Sequence, residues 1–152
     1  MIYYGKQNIN QDDIDAVIDV LKSDFLTQGP KVAEFENDLK DYCNVNYTKA
    51  VSNATNALHL AYLAIGVKQG DIVWTSPNTF VATTNAALYC GADVEFVDIN
   101  DKTYNMSVEC LEKKLMQAKI DNKLPKLVVP VHFAGQSCEM KEIWELSKKY
   151  GF

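Results

Sequence analysis

Arginine is missing from this chain: all fifteen basic residues are lysines, and twenty acids leave a net charge of -5. An acidic chain without guanidinium groups is a poor partner for nucleic acid, whose phosphates and base edges are met by Lys and Arg clusters. It also has no planar fork with which to clamp a carboxylate through two parallel hydrogen bonds. Any phosphate it meets must be held by backbone N–H, hydroxyl, amide or lysine. Glycine is sparse, and neither G-x-G-x-x-G nor a Gly-Lys-Ser/Thr loop occurs, which argues against a dinucleotide fingerprint or a P-loop. The four cysteines, Cys43, Cys90, Cys110 and Cys138, form no C-x-x-C pair, so a zinc site is not expected and a metal ligand set is absent. They read as small buried hydrophobes in a reduced compartment. No apolar run approaches the roughly 18 residues of a membrane helix. Residues Met1–Asn10 carry no basic region followed by an apolar stretch, so neither signal peptide nor membrane partner is expected and the expected location is cytoplasmic.

What the chain does have is regular patterning. Asn10 is a good helix cap, with Asp12 and Asp13 in the first turn and an apolar stripe of Ile14, Val17, Ile18 and Leu21 behind it. Leu26-Thr27-Gln28-Gly29-Pro30 breaks that helix, and Pro30 opens a second one with the stripe Val32, Phe35, Leu39 and Tyr42. After Asn44 the pattern changes to short apolar strands alternating with helices. Strands are predicted at Thr48–Ser52, Asp71–Thr75, Val94–Ile99 and Leu127–Phe133. Helices are predicted at Thr55–Ile65, Thr79–Cys90, Ser107–Lys119 and Met140–Tyr150, the first, second and fourth closed by Gly66, Gly91 and Gly151. This alternation predicts an α/β fold with a mostly parallel sheet and flanking helices. The division expected is an N-terminal helical segment over residues 1–45 and a partial α/β domain over 46–152. A parallel series that stops one residue past a helix C-cap predicts a longer parent protein.

In such a sheet ligands bind at the carboxyl ends of the strands. At the first strand-to-helix junction, Ser52-Asn53-Ala54-Thr55-Asn56, free N–H groups, the Thr55 hydroxyl and the helix dipole together suit a phosphate, although a plain N-cap is the commoner use of such residues. At the second, Ser76-Pro77-Asn78-Thr79-Phe80, Phe80 would sit in the first helical turn, where it either stacks on a planar ring or packs in the core. Asp98, after the third strand, reads as a turn-former. The sequence leaves open whether His132, after the fourth, points into the cleft or the core. His59 reads as a packing or surface residue, and Glu34, Glu36, Glu109 and Glu112 read as solvated helix faces. No Ser–His–Asp or Cys–His order stands out.

Taken in order, Leu26-Thr27-Gln28-Gly29-Pro30, Phe35-Glu36, Asn53-Ala54-Thr55-Asn56-Ala57-Leu58, Gly70-Asp71-Ile72-Val73 and Thr79-Phe80-Val81-Ala82-Thr83 resemble the DegT/DnrJ/EryC1/StrS sugar aminotransferase family. So do Val94–Ile99, Tyr104-Asn105 and Val131-His132-Phe133-Ala134-Gly135-Gln136. The resemblance spans essentially the whole chain. It implies the N-terminal part of an aspartate aminotransferase-like large domain (PLP fold type I), with pyridoxal 5'-phosphate as cofactor and a homodimer when full length. The parent reaction it implies moves an amino group from glutamate to a nucleotide-linked 4-keto-6-deoxysugar. Lack of arginine fits a sugar substrate better than a dicarboxylic acid.

The resemblance also implies roles at matching positions. Ala54 and Thr55, with Asn53 in the same turn, would hold the cofactor phosphate; Phe80 would stack on the pyridine ring; Thr27 and Gln28 would lie near the active-site mouth and bind substrate. Such an enzyme needs a lysine that attaches the cofactor and shuttles a proton, and a carboxylate against the pyridinium nitrogen. In the family both fall beyond the stretch matched here, and none of the fifteen lysines stands in a matching motif. No catalytic residue is therefore expected in this chain, and it is not expected to transaminate alone. The other readings are a remnant or split half that pairs with a complementing or homologous chain, and a stand-alone phosphate-ligand binder.

Overall fold

The structure is a computed structural model, and it describes residues 5–152. The described chain forms two compact units, the first ending at Ala50 and the second running from Val51 to Phe152.

In the first unit, α1 (Gln11–Lys22) begins where Asn10 and Asp13 cap each other. Asn10 Oδ1 accepts the Asp13 N–H at 3.1 Å, and Asp13 Oδ2 accepts the Asn10 N–H at 2.9 Å. α2 (Pro30–Cys43) has proline in its first turn and ends at Asn44 in the left-handed conformation. The turn between them is tight. A Cβ on Gly29 would lie 2.9 Å from Phe25 Cβ and 3.0 Å from its carbonyl oxygen, so no larger residue fits without a shift. No residue of α1 or α2 is buried.

Thr48–Ser52 is not a strand. Its polar groups in the first unit go to a helix instead of a ladder. The Thr48 hydroxyl donates to the Glu36 carbonyl, and the Ala50 N–H donates to Glu36 Oε1 at 3.0 Å. Strand propensity there has no described neighbour to pair with, and pairing is what makes a strand.

The second unit is a three-layer α/β/α arrangement. α3 (Ala54–Ala64) precedes β1 (Ile72–Thr75); α4 (Ala82–Tyr89) leads to β2 (Asp93–Phe96); α5 (Val108–Ile120) leads to β3 (Leu127–Val129), and α6 (Met140–Tyr150) closes the chain. The sheet order is β2-β1-β3, all parallel, with Trp74 opposite Glu95 on one side and Val128 on the other. The alternation of a strand sorts the side chains to opposite faces. Trp74 and Val128 pack with Leu111, Leu115, Ile143 and Leu146 from α5 and α6, while Val73 joins Tyr62, Ala86 and Ala87 from α3 and α4. Tyr62 hydroxyl donates to the Thr83 carbonyl at 3.0 Å, and burial pushes its pKa up to about 12.

Three predicted elements shorten. The helix after β1 starts at Ala82, not Thr79, because the Phe80 carbonyl closes a tight turn by accepting the Thr83 N–H at 3.0 Å. Beyond Phe96 the second strand keeps only an isolated bridge between Ile99 and Met106. Past Val129 the third strand turns away into a short 3-10 segment at Phe133–Gly135. The cysteines also differ from expectation: Cys138 is buried, Cys90 and Cys110 are half-buried and Cys43 is exposed, since a helical pattern alone does not say which face is covered.

Candidate active site at the strand exits

The first helical turn of α3 is built to leave donors free. Asn53 Oδ1 accepts the Asn56 N–H at 2.9 Å, and the Asn53 carbonyl accepts the Ala57 N–H at 3.1 Å. Ser52 Oγ accepts from Asn56 Nδ2 at 2.6 Å and from Asn53 Nδ2 at 3.4 Å. The cap therefore occupies the third N–H of the helix. Among the described residues the N–H groups of Ala54 and Thr55, and the Thr55 hydroxyl, have no hydrogen-bond partner. Two adjacent amides at the positive end of a helix, with a hydroxyl beside them, are the donor set an anion needs where arginine is absent. A shallow depression of about 360 Å³ lies against this turn, lined by Val51, Ser52, Asn56, His59 and Leu60.

Phe80 lies in the turn after β1, 75% exposed. It is not in the first turn of a helix, as the sequence predicted, but just before it. It is not a core residue either, so its ring is free to meet a ligand. The flanking turn is pinned on both sides. Thr79 Oγ1 and Thr83 Oγ1 share a hydrogen bond of 2.8 Å, and Asn78 Nδ2 donates to the Tyr104 carbonyl at 2.7 Å. No hydrogen bond among the described residues joins Phe80 to Asn53, Ala54 or Thr55, and Phe80 does not line the depression at the α3 turn. α3 and α4 meet instead through Tyr62 and through the edge-on contact of His59 with Tyr89, 5.4 Å between ring centres.

Thr27 and Gln28 belong to the first unit. Both are exposed in the α1–α2 turn, with Gln28 in the left-handed conformation at φ 53°.

The structure resolves His132, which is exposed. Its Nδ1 accepts the Cys138 N–H at 3.1 Å. The Cys138 thiol donates to the Val131 carbonyl at 3.2 Å, and burial pushes the thiol pKa up. Asn100 and Asp98 both organise the loop after β2: Asn100 Oδ1 accepts the N–H groups of Lys102 and Thr103, and Asp98 Oδ1 accepts the Ile99 N–H at 2.8 Å.

Three polar residues gain weight that sequence reasoning did not give them. Asn105 is 1% exposed and hydrogen-bonded on both sides of its amide. Ser76 Oγ and Asn78 Oδ1 are buried at the exit of β1 without a partner among the described residues. Tyr104-Asn105 was visible as a dipeptide of the family pattern, but a polar loop residue gives no periodicity from which burial can be read. Glu36 is likewise more than a solvated face. It is half-buried, holds Lys49 Nζ at 2.8 Å and accepts the Ala50 N–H, and both donors hold its carboxyl below the usual range. Glu34, Glu109 and Glu112 pair with Lys31, Lys113 and Lys149 on the surface. Among the described residues no cluster of His, Cys, Asp and Glu could hold a metal, and no helix is long and apolar enough to cross a membrane.

A parallel sheet flanked by helices, with two unpartnered amides at the start of α3 and an exposed aromatic at a strand exit, defines an α/β domain, and comparison with known proteins gives its lineage. The model of the DegT/DnrJ/EryC1/StrS aminotransferase family matches residues 7–152, and the chain belongs to that family. It is 47% identical over 150 residues to the UDP-4-amino-4,6-dideoxy-N-acetyl-beta-L-altrosamine transaminase of Campylobacter jejuni serotype O:23/36, covering 99% of this chain and 39% of the relative. Helicobacter pylori PseC, an aminotransferase involved in the biosynthesis of pseudoaminic acid, superposes with a TM-score of 0.88 at 31% identity, over 99% of this chain and 39% of its own. A putative sugar aminotransferase from Streptococcus pneumoniae, solved in its PLP form, gives 0.86 at 28% identity, over 97% of this chain and 36% of its own. The chain thus spans about two-fifths of the length of these relatives.

Proposed function

We propose that this chain supplies the phosphate seat and ring-stacking surface of a pyridoxal phosphate-dependent sugar aminotransferase. The observation that carries the reading is the pair of unused amides at Ala54 and Thr55 behind the Asn53 cap, with the Thr55 hydroxyl at the same helix end. Asn53 organises the turn, Ala54 and Thr55 hold the cofactor phosphate, and Phe80 lies against the pyridine ring. Thr27 and Gln28 contact substrate at the site mouth. When bound, the cofactor supplies an electron sink for breaking and making bonds at the amine-bearing carbon. The residues of this chain bind and orient it. On this reading residues 1–45 are an N-terminal helical segment and 46–152 are part of the large cofactor-binding domain.

The parent reaction replaces the C4 carbonyl oxygen of a nucleotide-linked 4-keto-6-deoxysugar by an amino group, while glutamate becomes 2-oxoglutarate. The names of the relatives support the sugar class. The parent works as a homodimer. Exposed Leu60 and Leu63 on α3 and Trp144 on α6 support association of this chain with a second copy or a complementing segment. Four cysteines without a disulfide support a cytoplasmic location.

The test uses pyridoxamine 5'-phosphate, which has no aldehyde to react with surface lysines. Calorimetry should detect its binding to the chain, pyridoxamine without phosphate should bind far more weakly, and Thr55→Val should weaken binding of the phosphate form by about tenfold or more. Equal affinity for the two probes, or an unaffected Thr55→Val, would overturn the proposal.

A further inference from the structure

Three loops leave the carboxyl ends of the sheet: residues 76–81 after β1, 97–107 after β2 and 130–139 after β3. One buried amide sits between the last two. Asn105 Oδ1 accepts the Phe133 N–H at 3.0 Å, and Asn105 Nδ2 donates to the carbonyls of Gln136 at 3.1 Å and Ser137 at 3.0 Å. Its own carbonyl accepts the Asn100 N–H at 2.8 Å, which closes the loop after β2. The adjoining residue reaches the first loop: the Tyr104 carbonyl accepts Asn78 Nδ2, two positions before Phe80.

The backbone is bent to permit this. Tyr104 is held at φ 60°, and Ala134 at φ 50° with Gly135 at φ 84°. Left-handed conformations at non-glycine residues persist only where neighbouring contacts over-determine them. At Tyr104 the bend turns the carbonyl to Asn78; at Ala134 it brings three backbone groups of one loop around a single side chain. The rings of Tyr104 and Phe133, 5.9 Å apart, brace the same junction from outside. A leucine, similar in branching, would satisfy none of the three groups.

We propose that Asn105 is a positioning residue: its amide, with the neighbouring Tyr104 carbonyl, locks the three strand-exit loops into one rim and so sets the pose of Phe80. That the pose serves a cofactor rests on the reading above; the lock itself does not. Asn105 makes no hydrogen bond to residues 76–81, so an effect of its removal on that loop has to pass through Tyr104.

Amide hydrogen exchange on the whole 152-residue chain tests the lock. Asn105→Ala should raise exchange in residues 132–138 and also at Thr83, whose N–H donates to the Phe80 carbonyl, with α5 and α6 still protected; Asn78→Ala should raise it at Thr83 and leave 132–138 unchanged. Titration with pyridoxamine 5'-phosphate should show each variant weakened by about tenfold, and the double variant no weaker than Asn105→Ala, since both cut one path. Faster exchange confined to 132–138 would overturn the lock. If Asn105→Ala loses the protection of the core helices, Asn78→Ala decides, because it cuts the same link from its more exposed end; unchanged exchange at Thr83 would then overturn it. Faster exchange at Thr83 with unchanged affinity would overturn the assignment of Phe80's pose. A wild-type chain that ignores the probe would instead sink the cofactor reading and leave the exchange result to decide the lock.

Discussion

α1 and α2 carry apolar stripes as regular as those of α5 and α6, yet the two regions of the molecule treat them differently. In the first unit Ile14 is 44% and Leu21 63% exposed, and neither helix buries a residue. In the second, Leu111 and Leu115 are wholly buried beneath Trp74. A 3.6-residue period states which face of a helix is apolar; it does not state what covers that face. The cover comes from the sheet. Strands present a side chain to each face in turn, so β1 alone seeds two cores, through Val73 on one side and Trp74 on the other. What holds the first unit together is polar and local by contrast: the mutual cap at Asn10, the close approach at Gly29, and the Glu36 carboxylate tied to the segment that follows α2.

The largest effect should fall on the covered stripe. Leu111→Ala, at a site with no solvent access, should cost about 2–5 kcal/mol in urea unfolding of the chain, because the cavity it leaves under Trp74 cannot collapse. A cost under about 1 kcal/mol would mean that the second unit is less tightly packed than its burial suggests, and the contrast would fail.

Glu36 should give a smaller and pH-dependent effect. The Lys49 ammonium and the Ala50 N–H hold its carboxyl below the ordinary glutamate range in the folded chain. A lowered folded-state pKa means that the contribution is complete above the unfolded carboxylate pKa and is lost as pH falls through the folded one. Acidification through that window should therefore speed exchange at Ala50, whereas Glu36→Gln should make the exchange rate flat over the same window once the intrinsic pH dependence is removed. An identical pH profile in the two proteins would show that the latch is not electrostatic.

The smallest effect belongs to the uncovered stripe. Val17→Ala, at a position 59% exposed, should change stability by no more than about 0.5 kcal/mol. A loss of 1 kcal/mol or more would show that something covers α1 in solution, and its dependence on protein concentration would tell a second copy from a contact within the chain.

The places where sequence reading ran short share one cause. Thr48–Ser52 has strand-like residues, but a strand exists only when a neighbour accepts its ladder, and here Glu36 takes part of the segment's bonding instead. The run from Leu127 to Phe133 stays apolar past Val129, yet the chain leaves the sheet because a distant amide captures the Phe133 N–H. Phe80 drops out of the predicted helix because its own carbonyl closes the entry turn. Local signals were dependable where the partner is local: Asn10, Asn53 and Ser107 all cap the helices their positions announce, and Gly66, Gly91 and Gly151 all take left-handed conformations after helix ends.

By itself the sequence determined the order of helices and strands from α3 onward, the parallel α/β class and the family, because caps, periodicity and turn residues act within a few positions of one another. Only the tertiary structure decided that Asn105 is buried, that Glu36 is a latch and that His132 Nδ1 accepts from Cys138. Each of those depends on a hydrogen-bond partner between 6 and 32 residues away, brought within 3.1 Å by the packing of other elements.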